Sequence, residues 1–149
     1  MTILRENDLY GWAEEQAAIL RRAGEARLNA PEGVDWAHLA EEIEAVGKSQ
    51  PRELYSRYKI LLLHLLKWRY QPGLRGSSWR RTIRDQRDEI AGLLAESPSL
   101  KPQRASELQR AYRKAREAAE DETGLPLITF PEAYPFTLEQ VEDEGFWPA

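Results

Sequence analysis

Between Pro51 and about Arg69 the chain is apolar on almost every side of a helix. At roughly 100° per residue, Leu54, Tyr55, Tyr58, Ile60, Leu61, Leu62, Leu63, Leu65, Leu66 and Trp68 cover most of the wheel. Such a helix has to be enclosed by others, so this segment is expected at the centre of a bundle. It is no membrane span. Ile60 to Leu66 is seven residues with His64 inside it, against the roughly 20 a bilayer needs. The 149 residues suit a single helical domain over 1–149, which at this size buries roughly 70% of its unfolded surface. The absence of Cys excludes a disulfide scaffold, thiolate metal sites and Cys nucleophiles. The opening MTILRENDLYGW reaches charge within five positions and offers no apolar signal core, so the expected compartment is the cytoplasm.

Around the central segment, other amphipathic stretches follow, separated by Pro and Gly. Asp8 to about Leu28, capped by Asp8 or Asn7, places Leu9, Trp12, Ala13, Ile19, Leu20 and Ala23 on one face. Asn29-Ala30-Pro31-Glu32-Gly33 breaks it. Asp35 caps a second helix whose inner face reads as Trp36, Leu39, Ala40, Ile43 and Val46, and Gly47 and Pro51 mark a stop or a kink. After the central helix comes the turn Gln71–Gly76, with Ser77 or Ser78 as cap. The fourth helix then has Trp79, Ile83, Ile90, Leu93 and Leu94 inside. A fifth, from about Gln103 to Thr123, ends on Gly124 as C-cap and carries Leu108, Ala111, Tyr112, Ala115, Ala118 and Ala119 inside. LPLITFPEAYPF has three prolines in twelve residues. It reads as an extended arm burying Leu127, Ile128, Phe130 and Phe136. Thr137 with Gln140 forms a capping box for a short last helix. The fold class is therefore all-α, with about five main helices around a central apolar one, a Pro-rich C-terminal arm and a short last helix.

The pieces DLYGWAEEQAAILR, WAHLAEEIEAVGKSQPREL, LLLHLLKWRYQPGLRGSSWRRTIRDQRDEI, SPSL, AYRKARE and ETGLPLITFPEAYPFTLEQVEDEGFWP follow in this order over nearly the whole chain. In that combination the chain resembles a bacterial family known as domain of unknown function 29. The resemblance implies a small all-helical domain. It implies no activity, cofactor or functional residue to carry over.

Two histidines are the material for any catalytic or metal chemistry. His38 with Glu41 and Glu42 has helical metal-motif spacing. Its counterparts on other helices are missing, so a solvated polar face is the reading. His64, at the edge of the central apolar surface beside Glu53 and Arg57, reads as a half-buried structural histidine with no nucleophile or second acid paired to it. No catalytic residue, metal ligand or cofactor is assigned. A metal-dependent enzyme using His38, His64 and the second-helix glutamates would require the two histidines to meet in space. Gln86, inside the apolar stripe, is expected to staple the hairpin through a buried hydrogen bond. Ser77 and Ser78 read as caps rather than as an anion site.

The segment from Lys67 to Arg87 is the serious candidate. It holds seven Lys or Arg against one acid, about +6 in a chain of net −4. Lys67, Arg69, Tyr70, Arg75, Arg80, Arg84 and Arg87, with Trp68 and Trp79 nearby, form a basic-aromatic hairpin suited to a macromolecular partner. Helical i, i+4 pairs Arg81–Asp85 and Arg84–Asp88 are expected to neutralise part of it. The function read from this is an interaction or adaptor module contacting a protein partner or a second copy. The alternative is a nucleic-acid-associated protein using the same arginines, against which the acidic balance of the whole chain argues. TLEQVEDEGFWPA, with four acids and no base, is expected to dock on the hairpin through Phe146 and Trp147.

Overall fold

In the computed structural model, which describes residues 2–26 and 31–149, all regular secondary structure is helical. The helices are α1 (Leu9–Ala26), α2 (Trp36–Tyr70), α3 (Ser77–Glu96), α4 (Arg104–Thr123) and the short α5 (Leu138–Glu142), with 3-10 turns at Pro72–Leu74, Pro98–Gln103 and Leu127–Thr129. The expected end of the first helix near Leu28 and the break at Asn29 and Ala30 lie outside the described residues.

Several caps stand where the side chains place them. Asp8 Oδ1 accepts from the Gly11 N–H at 3.2 Å and opens α1. Asp35 Oδ1 accepts from the His38 N–H at 3.2 Å and opens α2. Gly124 ends α4 at φ 73°, its N–H on the Glu120 carbonyl, and Thr137 and Gln140 form the reciprocal box that starts α5. Ser77 and Ser78 instead lie inside the first turn of α3, and the Gly76 carbonyl accepts from the Arg80 N–H.

The expected second and third helices are one helix. α2 runs 35 residues through Pro51 without a break. A proline in a helix interior removes an N–H and crowds the carbonyl four residues earlier, here Gly47, at a cost of about 3 kcal/mol. Gly47 and Gln50 on one side of it and Leu54 on the other are buried, and that packing outweighs the local penalty.

The residues divide into two compact units, Met1–Arg52 with Leu94–Lys101 and Glu53–Leu93 with Pro102–Ala149. In the first, small residues set the packing. Ala13, Ala17 and Ala40 are buried. A Cβ on Gly47 would stand 3.0 Å from that of Ala13, and one on Gly24 only 2.6 Å from that of Trp36. Close backbone approach turns Ala40 and Gly47 inward, which rotates Leu39 and Val46 outward to 44% and 45% exposure. Of the inner face expected for this half of α2, Ala40 is buried and Trp36 and Ile43 are half-buried, whereas Leu39 and Val46 do not belong to it. Ser97, fully buried, closes the unit: its hydroxyl accepts from the Tyr10 N–H at 3.1 Å and donates to Gln50 Oε1 at 3.1 Å.

The second unit holds the apolar core anticipated for the central segment. Leu54, Tyr58, Leu61, Leu62, Leu65 and Leu66 have no exposed surface, and neither have Ile83, Leu108, Ala111, Ala115, Phe130 and Val141. α4 clasps the arm by its carbonyls: Arg116 donates to Phe130 and Leu127 at 2.9 and 3.2 Å, and the Tyr112 hydroxyl donates to Pro131. Phe130 and Phe136 are buried as expected, but Ile128 is 88% exposed because Leu127–Thr129 turns as a 3-10 element. Leu65→Ala is expected to destabilise the protein by about 2–5 kcal/mol. Urea unfolding checks this; an unchanged midpoint would misplace the core.

Candidate functional site

Two features of the turn after α2 gather the basic residues. Arg75 Nε donates to the Trp68 carbonyl at 2.7 Å, placing a cation on the C-terminal carbonyls of α2 where the helix dipole favours one. α3 then starts at Ser77 and presents Arg80, Arg84 and Arg87 at i, i+4 and i+7, along one flank.

The C-terminal residues complete the arrangement. The Trp147 ring lies 4.8 Å from that of Trp68, tilted by 48°. Arg75 and Arg80 stand 5.1 and 5.7 Å from the Trp68 ring, and Arg84 and Arg87 stand 5.9 and 5.7 Å from that of Trp147. Four of the expected binding residues thus surround one pair of indoles. Cation–π contacts of this kind contribute about 0.5–1 kcal/mol when exposed and about 2 or more when desolvated. The others are arranged differently. Lys67 lies 4.9 Å from the Trp79 ring and 3.4 Å from Glu122. Arg69 stacks on Tyr70 at 5.5 Å, and Tyr70 meets Phe130 edge-on at 5.2 Å. Trp79, expected in the core, is only half-buried.

Arg87 departs furthest from expectation. It is 3% exposed rather than on an open flank. Its Nε donates to the Val141 carbonyl at 2.8 Å and its Nη2 to that of Gln140 at 3.3 Å. Burial lowers its pKa, while Asp143 and Glu144 pull it back up. Among the described residues its Nη1 has no hydrogen-bond partner, and neither has Gln86 Oε1, so that oxygen makes no staple. Pro148 is buried, its carbonyl 3.3 Å from Arg75 Nη2. Expected pairs on α3 are also missing. Among the described residues neither Arg81–Asp85 nor Arg84–Asp88 comes within ion-pair distance, and Arg80, Arg81 and Arg84 are exposed without any ion pair. With Ser77 and Asp85 they line a shallow depression of about 230 Å³. Backbone carbonyls as acceptors for buried guanidinium groups were the part sequence reasoning missed, because a carbonyl has no side-chain signature.

The histidines are dispersed. His38 and His64 sit on the same helix, about seven turns apart, not on two facing helices. His38 is exposed and pairs with Asp35, which raises its pKa and lowers that of Asp35. His64 is half-buried, its Nδ1 2.8 Å from the Ile60 carbonyl, which makes Nδ1–H the donor in the neutral ring. Among the described residues no three His, Asp or Glu side chains converge as metal ligands, and no helix is long and apolar enough to cross a membrane.

The family model "Domain of unknown function DUF29" matches residues 4–147, and the chain belongs to that family. An α-helical protein of unknown function from Rhodospirillum rubrum ATCC 11170, solved by crystallography at 1.45 Å resolution, is similar in fold: the TM-score is 0.78 at 25% identity, over 98% of this chain and 93% of that one. No curated protein matches.

Burial pushes the His64 pKa down, with Lys67 adding to the effect and the Ile60 carbonyl opposing it. The unfolded chain, with a histidine near its ordinary value of about 6.5, therefore takes up the proton first. Stability from the neutral ring is present above about pH 6.5 and is lost as pH falls. His64→Gln should show a smaller loss of unfolding free energy than the parent between about pH 7.5 and 5.5. Parallel urea titrations at the two pH values check this, and equal losses would assign the acid sensitivity elsewhere.

Proposed function

We propose that the protein is a cytoplasmic binding module whose basic-aromatic α3 surface takes an acidic partner protein. The observation that carries this reading is the set Arg80, Arg81 and Arg84, exposed and without ion pairs among the described residues, of which Arg80 stands by the Trp68 indole and Arg84 by that of Trp147. Guanidinium groups without ion pairs beside indole faces supply planar, two-pronged donors and an apolar platform together, which suits carboxylate-rich peptide with aromatic content. Three features favour a protein over nucleic acid as the partner. The patch is short, Asp85 lies in its lining, and the chain as a whole is net −4. A phosphate backbone rewards a longer run of cations.

Arg80→Glu and Arg84→Glu are each expected to weaken binding of a glutamate- and tryptophan-containing acidic peptide. Losing about 1–2 kcal/mol corresponds to roughly 5–30-fold. Fluorescence anisotropy at about 50 and 200 mM salt measures this, with a mixed-sequence oligonucleotide alongside. Tighter and more steeply salt-dependent binding of the oligonucleotide would replace the protein partner by nucleic acid. Indifference of the peptide to both charge reversals would remove the surface from the function.

A further inference from the structure

The tail that covers Arg87 does so with neutral acceptors only. Nε and Nη2 take the Val141 and Gln140 carbonyls, and Nη1 is left without a partner among the described residues. Yet carboxylates are close in sequence: Asp143 and Glu144 are exposed and form no ion pair among the described residues. A buried guanidinium with one nitrogen unbonded is a cation whose best ligand, a carboxylate, is missing.

The segments on either side of Asp143 are held to different degrees. Upstream, Val141 is fully buried, and Glu142 accepts from the Tyr58 hydroxyl at 2.7 Å and from Arg104 at 3.2 Å. That anchors α5. Downstream, Asp143, Glu144 and Gly145 are exposed. Beyond them the chain is held by Phe146 on Phe136 at 5.8 Å, Trp147 on Trp68, and the Pro148 carbonyl on Arg75. Trp147 itself is only half-buried.

We infer that Asp143–Ala149 is a resident ligand of the Trp68–Arg87 slot, displaced by an acidic partner segment that lays an aromatic ring on Trp68 and a carboxylate on Arg87 Nη1. This rests on the binding reading above and adds to it a mask. A ligand tethered in the same chain competes at high effective concentration, so the free slot is a minor state and the apparent affinity for a partner is reduced by its population. α5 stays in place during the exchange, keeping Val141 and Gln140 on Arg87, so the incoming carboxylate meets the one open nitrogen.

The probe is a fluorescein-labelled peptide, Asp-Glu-Gly-Phe-Trp-Glu-Asp, titrated into the full chain and into Trp147→Ala. Binding at least about tenfold tighter to the variant is expected, because the mask is gone. Equal binding to parent and variant would overturn the inference and leave the proposed function standing. Binding to neither would overturn both. Should Trp147→Ala lose its cooperative melt, Trp147→Leu, which keeps an apolar side chain at the position, is expected to give the same order of affinities. A second reading uses the parent alone. Saturating peptide should speed amide exchange at Phe146 and Trp147 while Val141 stays protected, and unchanged exchange at 146 and 147 would count against displacement.

Discussion

A guanidinium removed from water must find acceptors, and among the described residues Arg87 finds them in the backbone of the C-terminal segment. Those two bonds tie the end of α5 to α3, beside the anchors that the buried Val141 and the Glu142 contacts with Tyr58 and Arg104 supply. Once Val141 and Gln140 stand over Arg87, the following residues are directed along the flank of α3, where Trp147 meets Trp68. Arg75 completes the circuit, since one guanidinium bonds both the Trp68 carbonyl at the end of α2 and the Pro148 carbonyl of the tail. Charge on the hairpin is thus stabilised by direct contact with carbonyl dipoles and indole faces, and at Arg87 the carboxylates of Asp143 and Glu144 add to this through space. Of the acids of the tail, Glu142 bonds Tyr58 and Arg104, and Asp143 accepts from the Gly145 N–H at 2.9 Å.

The opposite strategy governs the unit built from α1 and the first part of α2. There the contact is made by the absence of side chains, with Ala13 against Gly47 and Gly24 against Trp36. Close approach lets backbone dispersion substitute for bulk, and Arg21–Glu44 adds an ion pair at the rim. Enlarging a residue at such a seam forces the helices apart, whereas in the leucine-rich core the penalty comes from making residues smaller.

These two strategies explain what could be read from the residues beforehand. The leucine-rich half of α2 was legible because its apolar side chains are both large and dense, so every weighting of the wheel agrees. Leu39 and Val46 misled because a hydrophobicity pattern favours bulk, while a glycine-alanine seam is selected by shape. The stop read at Pro51 misled because the local rule against interior proline is weaker than burial on both sides of it. The basic hairpin and the docking of Trp147 on it were legible from composition, a run of cations near an acidic, aromatic tail, whereas Phe146 packs on Phe136 instead. The burial of Arg87 was not. Its spacing matches that of the exposed Arg80 and Arg84, and only the position of distant carbonyls distinguishes it.

Energetic coupling between Arg87 and Trp147 is the direct consequence of a tail held on the slot by this pair. A double-mutant cycle with Arg87→Met and Trp147→Leu, measured by urea unfolding of the full chain, reads it. A coupling of about 0.5–3 kcal/mol is expected for groups in contact within one network. Strict additivity of the two substitutions would mean that the tail and Arg87 are stabilised independently, and would contradict the account.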